Sequence, residues 1–262
     1  NLPVKRFSYF LLDLDGTLIL GNRALKGARS FIKFLKSNNK KFLILTNNSS
    51  RSTAEYASLL KRKGFDINEN EIFTSGLATA IYSKEVGLKD AYILGTKSVI
   101  EEFREFGISH NSKSKNLILT FDTTLNFRKL SKATKILLNS GGKYIASHPD
   151  NVCPVEDGFI PDVGAMIAFF KEATGRSPDF IPGKPSYYFY KKAMELLNAV
   201  KEETIIIGDR LSTDIKTGLD FGITSILVLT GETTIYDLRE SNLQPDFVFN
   251  DLVEVRRFLE GK

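Results

Sequence analysis

Asp13 and Asp15 close an apolar run, Tyr9-Phe10-Leu11-Leu12, with only Leu14 between them, and Gly16-Thr17 follows at once. Such a run reads as a strand buried on both faces of a parallel sheet, where an unpaired carboxylate would cost several kcal/mol, roughly. The two aspartates are therefore expected to leave the sheet at its carboxyl edge, where open α/β sheets place ligands. Alternation along an extended chain turns residues spaced i, i+2 to one side, and two like charges crowded there call for a cation. Asp-Gly is also a common turn pair. Four fixed positions of Asp-x-Asp-Gly-Thr, each filled at about one in twenty, nevertheless match by chance only on the order of once in several hundred chains of this size.

Two further strands end the same way. Phe42-Leu43-Ile44-Leu45 runs into Thr46-Asn47-Asn48-Ser49-Ser50, whose hydroxyls, amides and backbone N–H groups ahead of a helix make a ready oxyanion cradle. Ser50 or Ser52 would double as the cap of that helix. Thr204-Ile205-Ile206-Ile207 runs into Gly208-Asp209-Arg210, with Asp214 further on. Asp209 leaves a buried strand as Asp13 does and is the stronger ligand candidate, whereas Asp214 reads as a helix cap. Lys184 sits between Gly183 and Pro185. One compact ammonium is what charge balance requires near several carboxylates and a phosphate.

The elements that must carry these residues alternate. Helical spacing over Ala28–Asn39 and Thr53–Lys63 separates strands at Phe42–Leu45 and Glu71–Thr74, and the alternation resumes with a helix at Tyr187–Leu197, a strand at Thr204–Ile207, a helix at Asp214–Phe221 and a strand at Ser225–Leu229. This predicts an α/β fold with a Rossmann-like, three-layer core around a parallel sheet. Between its halves, strands at Tyr92–Leu94, Leu117–Phe121 and Tyr144–Ala146 and helices at Lys97–Phe106, Leu130–Leu138 and Val163–Thr174 form a complete set of their own. An inserted α/β domain over 77–182, with 1–76 and 183–262 as the catalytic core, is the simplest account. The turn-rich stretch Ser177–Pro185 is its exit.

Composition narrows the class. With 262 residues, 42% hydrophobic and 26% charged, the chain is an ordinary globular one. A single cysteine, Cys153, makes neither an intramolecular disulfide nor a thiolate metal site, which fits a reducing cytoplasm and leaves a metal to oxygen ligands. No apolar run reaches the ~18 residues needed to span a bilayer, and Asp13 interrupts the apolar start before a signal pattern develops, so a soluble, cytoplasmic protein without a membrane partner is expected. The net charge of +5 is scattered among acids. Clusters such as Lys61–Lys63 and Lys113–Lys115 read as solvated faces, and no nucleic-acid partner is expected.

In order and spacing, DLDGT at Asp13–Thr17, LTNNS at Leu45–Ser49, GKPS at Gly183–Ser186 and GDRLSTDI at Gly208–Ile215 resemble the phosphatases of the haloacid-dehalogenase superfamily, along the whole chain. The inserted segment falls where that superfamily's type-2 caps lie. The pattern around Ala146–Ala165 resembles a subgroup acting on nucleotide-sugar, phosphoglycolate, pyridoxal and 4-nitrophenyl phosphates. The resemblance implies that Asp13 is the nucleophile that becomes an aspartyl phosphate, and that Asp15 is the acid for the leaving alkoxide and then the base for water. It implies Mg²⁺ on Asp13, the main-chain carbonyl of Asp15 and Asp209, with Asp214 orienting them. Thr46 and the N–H of Asn47 would hold the phosphoryl oxygens, with Gly16 and Asn48 on the substrate side, and Lys184 would pair with phosphate and Asp13.

An acid at Asp15 favours phosphoryl transfer over dehalogenation, since a halide needs no proton. The expected partner is a small phosphorylated metabolite, with a homodimer left open. The loop His148–Gly158 is expected to contact substrate, although His148 and Cys153 themselves read as loop or packing residues and His110 as a surface one. A phosphomutase or phosphotransferase would use the same aspartates, but the cap type points to hydrolysis. A non-catalytic phosphometabolite-binding module would be expected to have lost at least one of Asp13, Asp15, Lys184 or Asp209.

Overall fold

The computed structural model describes residues 3–139 and 141–262, which divide into two compact units. One comprises Asn1–Thr46, Ala57–Phe73 and Tyr190–Lys262, the other Asn47–Tyr56 and Thr74–Phe189.

The first unit is built on a six-stranded sheet in the order Phe247–Phe249, Thr224–Val228, Thr204–Gly208, Tyr9–Asp13, Lys41–Thr46, Ile72–Thr74. The strand Tyr9–Asp13 lies at its centre, parallel to Thr204–Gly208 on one side and Lys41–Thr46 on the other. Phe10, Leu11 and Leu12 are all fully buried, so both faces of the central strand are covered, as its unbroken apolar run demands. On one face the Phe10 ring meets Phe31 edge-on at 6.4 Å. The helix Ala28–Ser37 supplies that contact because Phe31, Ile32 and Leu35 fall on one stripe while Ser30 and Lys33 face outward. Burying each such side chain contributes about 1.5–3 kcal/mol.

The second unit has its own parallel sheet, ordered Ser109–His110, Asp90–Leu94, Leu117–Leu119, Tyr144–Ala146. Alternation along these strands separates two cores. Tyr92, Leu94, Leu117, Leu119 and Tyr144 pack with Ala133, Leu137 and Phe170, whereas Ala91, Ile93, Ile118 and Ile145 pack with Ala80, Val99 and Phe103. An antiparallel hairpin, Val152–Val155 with Gly158–Pro161, completes the unit. Segment 47–56 groups here because Ser49 accepts the Phe121 N–H at 2.9 Å and Glu102 accepts the N–H and hydroxyl of Thr53 at 2.9 and 2.8 Å.

The expected elements are present within a few residues of their predicted ends, with one correction. Asp214–Phe221 is not a single helix beginning at Asp214. The chain is already helical from Leu211, as a π-helical turn over Leu211–Ile215 that passes into the α-helix Lys216–Phe221. Among the described residues no helix is long and apolar enough to cross a membrane.

Candidate active site

In the first unit, Asp13 ends its strand, Asp209 directly follows Thr204–Gly208, and Asp214 sits in the π-helical turn. All three are buried, and each offers a carboxylate oxygen within 4.8 Å of the others. The Asp13 Oδ1 accepts the N–H of Leu14 at 3.0 Å, and Asp214 Oδ2 accepts that of Arg210 at 3.1 Å. Asp209 is held from three residues. Its Oδ2 takes the N–H of Glu232 at 2.7 Å, its Oδ1 lies 3.5 Å from the Thr17 hydroxyl, and its carbonyl accepts the N–H of Thr233 at 3.2 Å.

Glycines make room for this cluster. A Cβ on Gly208 would overlap the Asp214 carboxylate, and one on Gly16 or Gly231 would overlap that of Asp209. Gly16 also has φ +85°, a left-handed conformation that favours glycine.

Burial, then the charge of Asp13 and a side-chain hydrogen bond with it, then the charge of Asp214, push the Asp209 carboxyl up to about 8; the Glu232 N–H opposes them. A buried acidic cluster of this kind needs either a shared proton or a cation, and its oxygen donors suit a hard divalent ion.

One expectation is corrected here, that of Asp214 as a helix cap. Asp15 is exposed, and the group of three buried carboxylates is made by Asp13, Asp209 and Asp214. The strand ends at Asp13 and the chain turns back, with the N–H groups of Leu18 and Ile19 on the Leu14 carbonyl, so strand alternation no longer applies. Asp15 Oδ2 instead lies 3.5 Å from the hydroxyl of Thr46, which ends its own strand. Asp214 is not a helix cap; Arg210 holds the N-cap position.

In the second unit, the Asn47 side chain pairs with the backbone of Lys184. Its Nδ2 donates to the Lys184 carbonyl at 2.9 Å and its Oδ1 accepts the Lys184 N–H at 2.8 Å. Lys184 is buried at 6% exposure. Asn48 Oδ1 accepts the N–H and hydroxyl of Ser50 at 2.9 and 2.6 Å, an Asx turn that shapes the loop. Ser52 caps the following helix, its hydroxyl accepting the Glu55 N–H at 3.2 Å.

The residues around His148 were not legible in sequence. The ring is wholly buried, as a packing residue would be, while the hairpin beyond it exposes Val152, Phe159 and Ile160. His110 is exposed at the surface, although its ring stacks on Tyr92 and its Nδ1 accepts the Ile93 N–H at 3.1 Å. Thr17, Gly231 and Glu232 were also missed. For the last two a signal existed, since Ile226-Leu227-Val228-Leu229 is a fourth apolar strand running into small and hydroxyl residues, Thr230-Gly231-Glu232-Thr233.

Residues 10–109 match the family model of haloacid dehalogenase-like hydrolases, and residues 181–255 match a second, HAD-hydrolase-like model. The acid sugar phosphatase of Staphylococcus aureus strain MRSA252 is 34% identical over 260 residues, which are 98% of this chain and 100% of that protein. The structure of 4-nitrophenylphosphatase from Thermotoga maritima is similar with a TM-score of 0.90 and 39% identity, covering 98% of this chain and 99% of the other. A glycerol phosphate phosphatase from Mycobacterium tuberculosis, solved in complex with calcium, is similar with a TM-score of 0.87 and 26% identity, over 99% of this chain and 76% of that one.

Proposed function

The chain belongs to the haloacid dehalogenase-like hydrolases, and on that premise we propose that it is a Mg²⁺-dependent phosphatase of small phosphomonoesters, sugar phosphates among them. The observation that carries this reading is the burial of Asp13 beside Asp209 and Asp214 at the carboxyl edge of the sheet. Asp13, Asp209 and the main-chain carbonyl of Asp15 would hold the ion, with Asp214 behind them. Bound there, Mg²⁺ would neutralise the carboxylates and the charge on the phosphoryl group.

The remaining chemistry belongs to the chain. A carboxylate oxygen of Asp13 attacks phosphorus, the ester P–O bond breaks, and its electron pair leaves on the alkoxide, which takes a proton from Asp15. Asp15, now a carboxylate, removes a proton from water as that water attacks phosphorus. The Asp13–phosphorus link breaks and inorganic phosphate leaves. Thr46 and the Asn47 N–H are assigned to the phosphoryl oxygens, with Gly16 and Asn48 on the substrate side, and Lys184 to charge balance. The inserted segment 77–182 is assigned the role of cap, and a small phosphorylated metabolite that of partner.

The test is phosphate release from 4-nitrophenyl phosphate with and without Mg²⁺, in the intact chain and in Asp13→Asn, extended to sugar, glycerol and cofactor phosphates. Mg²⁺-dependent release that disappears in Asp13→Asn is the expected result. Release from none of these compounds would overturn the proposal.

A further inference from the structure

His148 is wholly buried, and both of its ring nitrogens are engaged. Nε2 lies 2.7 Å from Asp162 Oδ1, and Nδ1 faces three hydroxyls: Ser147 at 2.9 Å, Ser75 at 3.1 Å and Ser49 at 3.5 Å. Asp162 is itself anchored, because the same oxygen accepts the Val163 N–H at 2.7 Å and so caps the helix Val163–Thr174. A carboxylate oxygen facing Nε2 places the ring proton on that nitrogen, which leaves Nδ1 to accept from Ser147 or Ser49, while Ser75, whose one proton goes to Asn47, meets the ring as a packing contact. A serine, a histidine and an aspartate in line suggest a nucleophilic triad, but no substrate reaches a ring without exposed surface.

The ring instead joins segments far apart in the chain, and one of them leads on to residues assigned to phosphate. Ser75 Oγ donates to the carbonyl of Asn47 at 2.6 Å, so the hydroxyl beside Nδ1 also fixes the Asn47 peptide. The Asn47 side chain then clamps both backbone groups of Lys184 and donates to Asp150 at 3.0 Å. From the other side, the N–H of Gly183 donates to the Ser147 carbonyl at 2.8 Å, an approach so close that a Cβ on Gly183 would overlap that oxygen.

We propose that His148, oriented by Asp162, is a positioning residue that sets the Asn47 loop and, through Asn47, the backbone of Lys184. The proposal rests on the phosphatase reading above. Its effect falls on the geometry of phosphoryl transfer rather than on substrate affinity.

The test compares the full chain with His148→Phe, which keeps a ring but removes both nitrogens, and with His148→Asn, whose amide reaches the Nδ1 position. With folding checked by circular dichroism and melting, kcat on 4-nitrophenyl phosphate in His148→Phe is expected to fall on the order of 10²-fold. KM should change less than about threefold, the pattern of a group that acts in the transition state. His148→Asn should recover part of the loss. A merely structural role would lower the melting temperature and leave kcat per folded molecule unchanged, and that result overturns the proposal. Where His148→Phe does not fold, Ser75→Ala decides, because it removes only the hydroxyl between the ring and Asn47; unchanged kcat there also overturns it. An unmodified chain inactive on every phosphomonoester is a different outcome, which overturns the phosphatase reading and this proposal with it.

Discussion

Gly231 packs so closely on Asp209 that a methyl group on its α-carbon would overlap the carboxylate Oδ2. The next residue, Glu232, donates its N–H to that same oxygen at 2.7 Å. The turn after the strand Thr224–Val228 therefore fixes the orientation of the carboxylate from outside the strand that carries it. Gly231→Ala should displace the carboxylate and press on the Gly16 backbone, disturbing the group that Asp209 forms with Asp13. The Mg²⁺ concentration giving half-maximal activity is expected to rise by about tenfold or more, as when groups that orient a metal ligand are disturbed. A Mg²⁺ titration of 4-nitrophenyl phosphate hydrolysis reads it directly.

In the metal-free chain the Asp209 carboxyl is pushed from 3.8 up to about 8, so the folded state holds a proton that the unfolded chain releases. The contribution is complete below the unfolded value and is lost as pH rises toward the folded one. With EDTA present, the melting temperature is expected to decline between about pH 4 and pH 8. Asp209→Asn should flatten that decline. Mg²⁺ at about a hundred times its Kd should stabilise the parent by about 2.7 kcal/mol. It should leave the melting temperature of Asp209→Asn nearly unchanged.

Asp13 and Asp209 were legible because each follows a fully apolar strand that has no place for a carboxylate, and the same logic located Thr46. The parallel cores were legible for a related reason: period-2 and period-3.6 spacing decide which side chains face inward. Asp15 shows where that logic stops. The strand ends at Asp13, the chain reverses onto the Leu14 carbonyl and Gly16 takes φ +85°, which leaves Asp15 exposed, a placement that strand periodicity does not give. Asp214 was ambiguous because an aspartate near a helix start reads as a cap, and only the fold shows the helical turn beginning at Leu211. His148 read as a loop or packing residue, and its network had no local signal. Ser49, Ser75 and Asp162 reach it from separate elements, and nothing in their spacing announces a shared ring.

Asp15 is the exposed carboxylate, lying 3.5 Å from the Thr46 hydroxyl, and its two assigned duties separate cleanly by leaving group. 4-Nitrophenolate leaves without a proton, so Asp15→Asn should still form the Asp13 phosphoryl adduct from 4-nitrophenyl phosphate. Its hydrolysis should then stall for want of a base. Rapid mixing is expected to show a burst of nitrophenolate near one equivalent, followed by slow turnover. On an alkyl phosphate both steps suffer, with a loss of about 10²–10⁴-fold. Equal activity of Asp15→Asn and parent on glycerol phosphate would remove Asp15 from the mechanism.

Lys184 has its backbone fixed by the two Asn47 hydrogen bonds and its side chain almost wholly enclosed, at 6% exposure. Enclosure favours a compact ammonium over a planar, forked guanidinium, which is wider and directs its donors differently. Lys184→Ala should lower kcat on 4-nitrophenyl phosphate on the order of 10²–10³-fold, the scale of losing a charge-stabilising donor. Lys184→Arg keeps the charge but not the shape, and is expected to retain less than about a tenth of parental kcat. Inhibition by inorganic phosphate separates the two contributions. If charge alone mattered, Lys184→Arg would match the parent in both kcat and phosphate inhibition. If placement matters, Lys184→Arg should keep phosphate affinity within about threefold while kcat falls, because attraction survives a shift in position that in-line transfer does not.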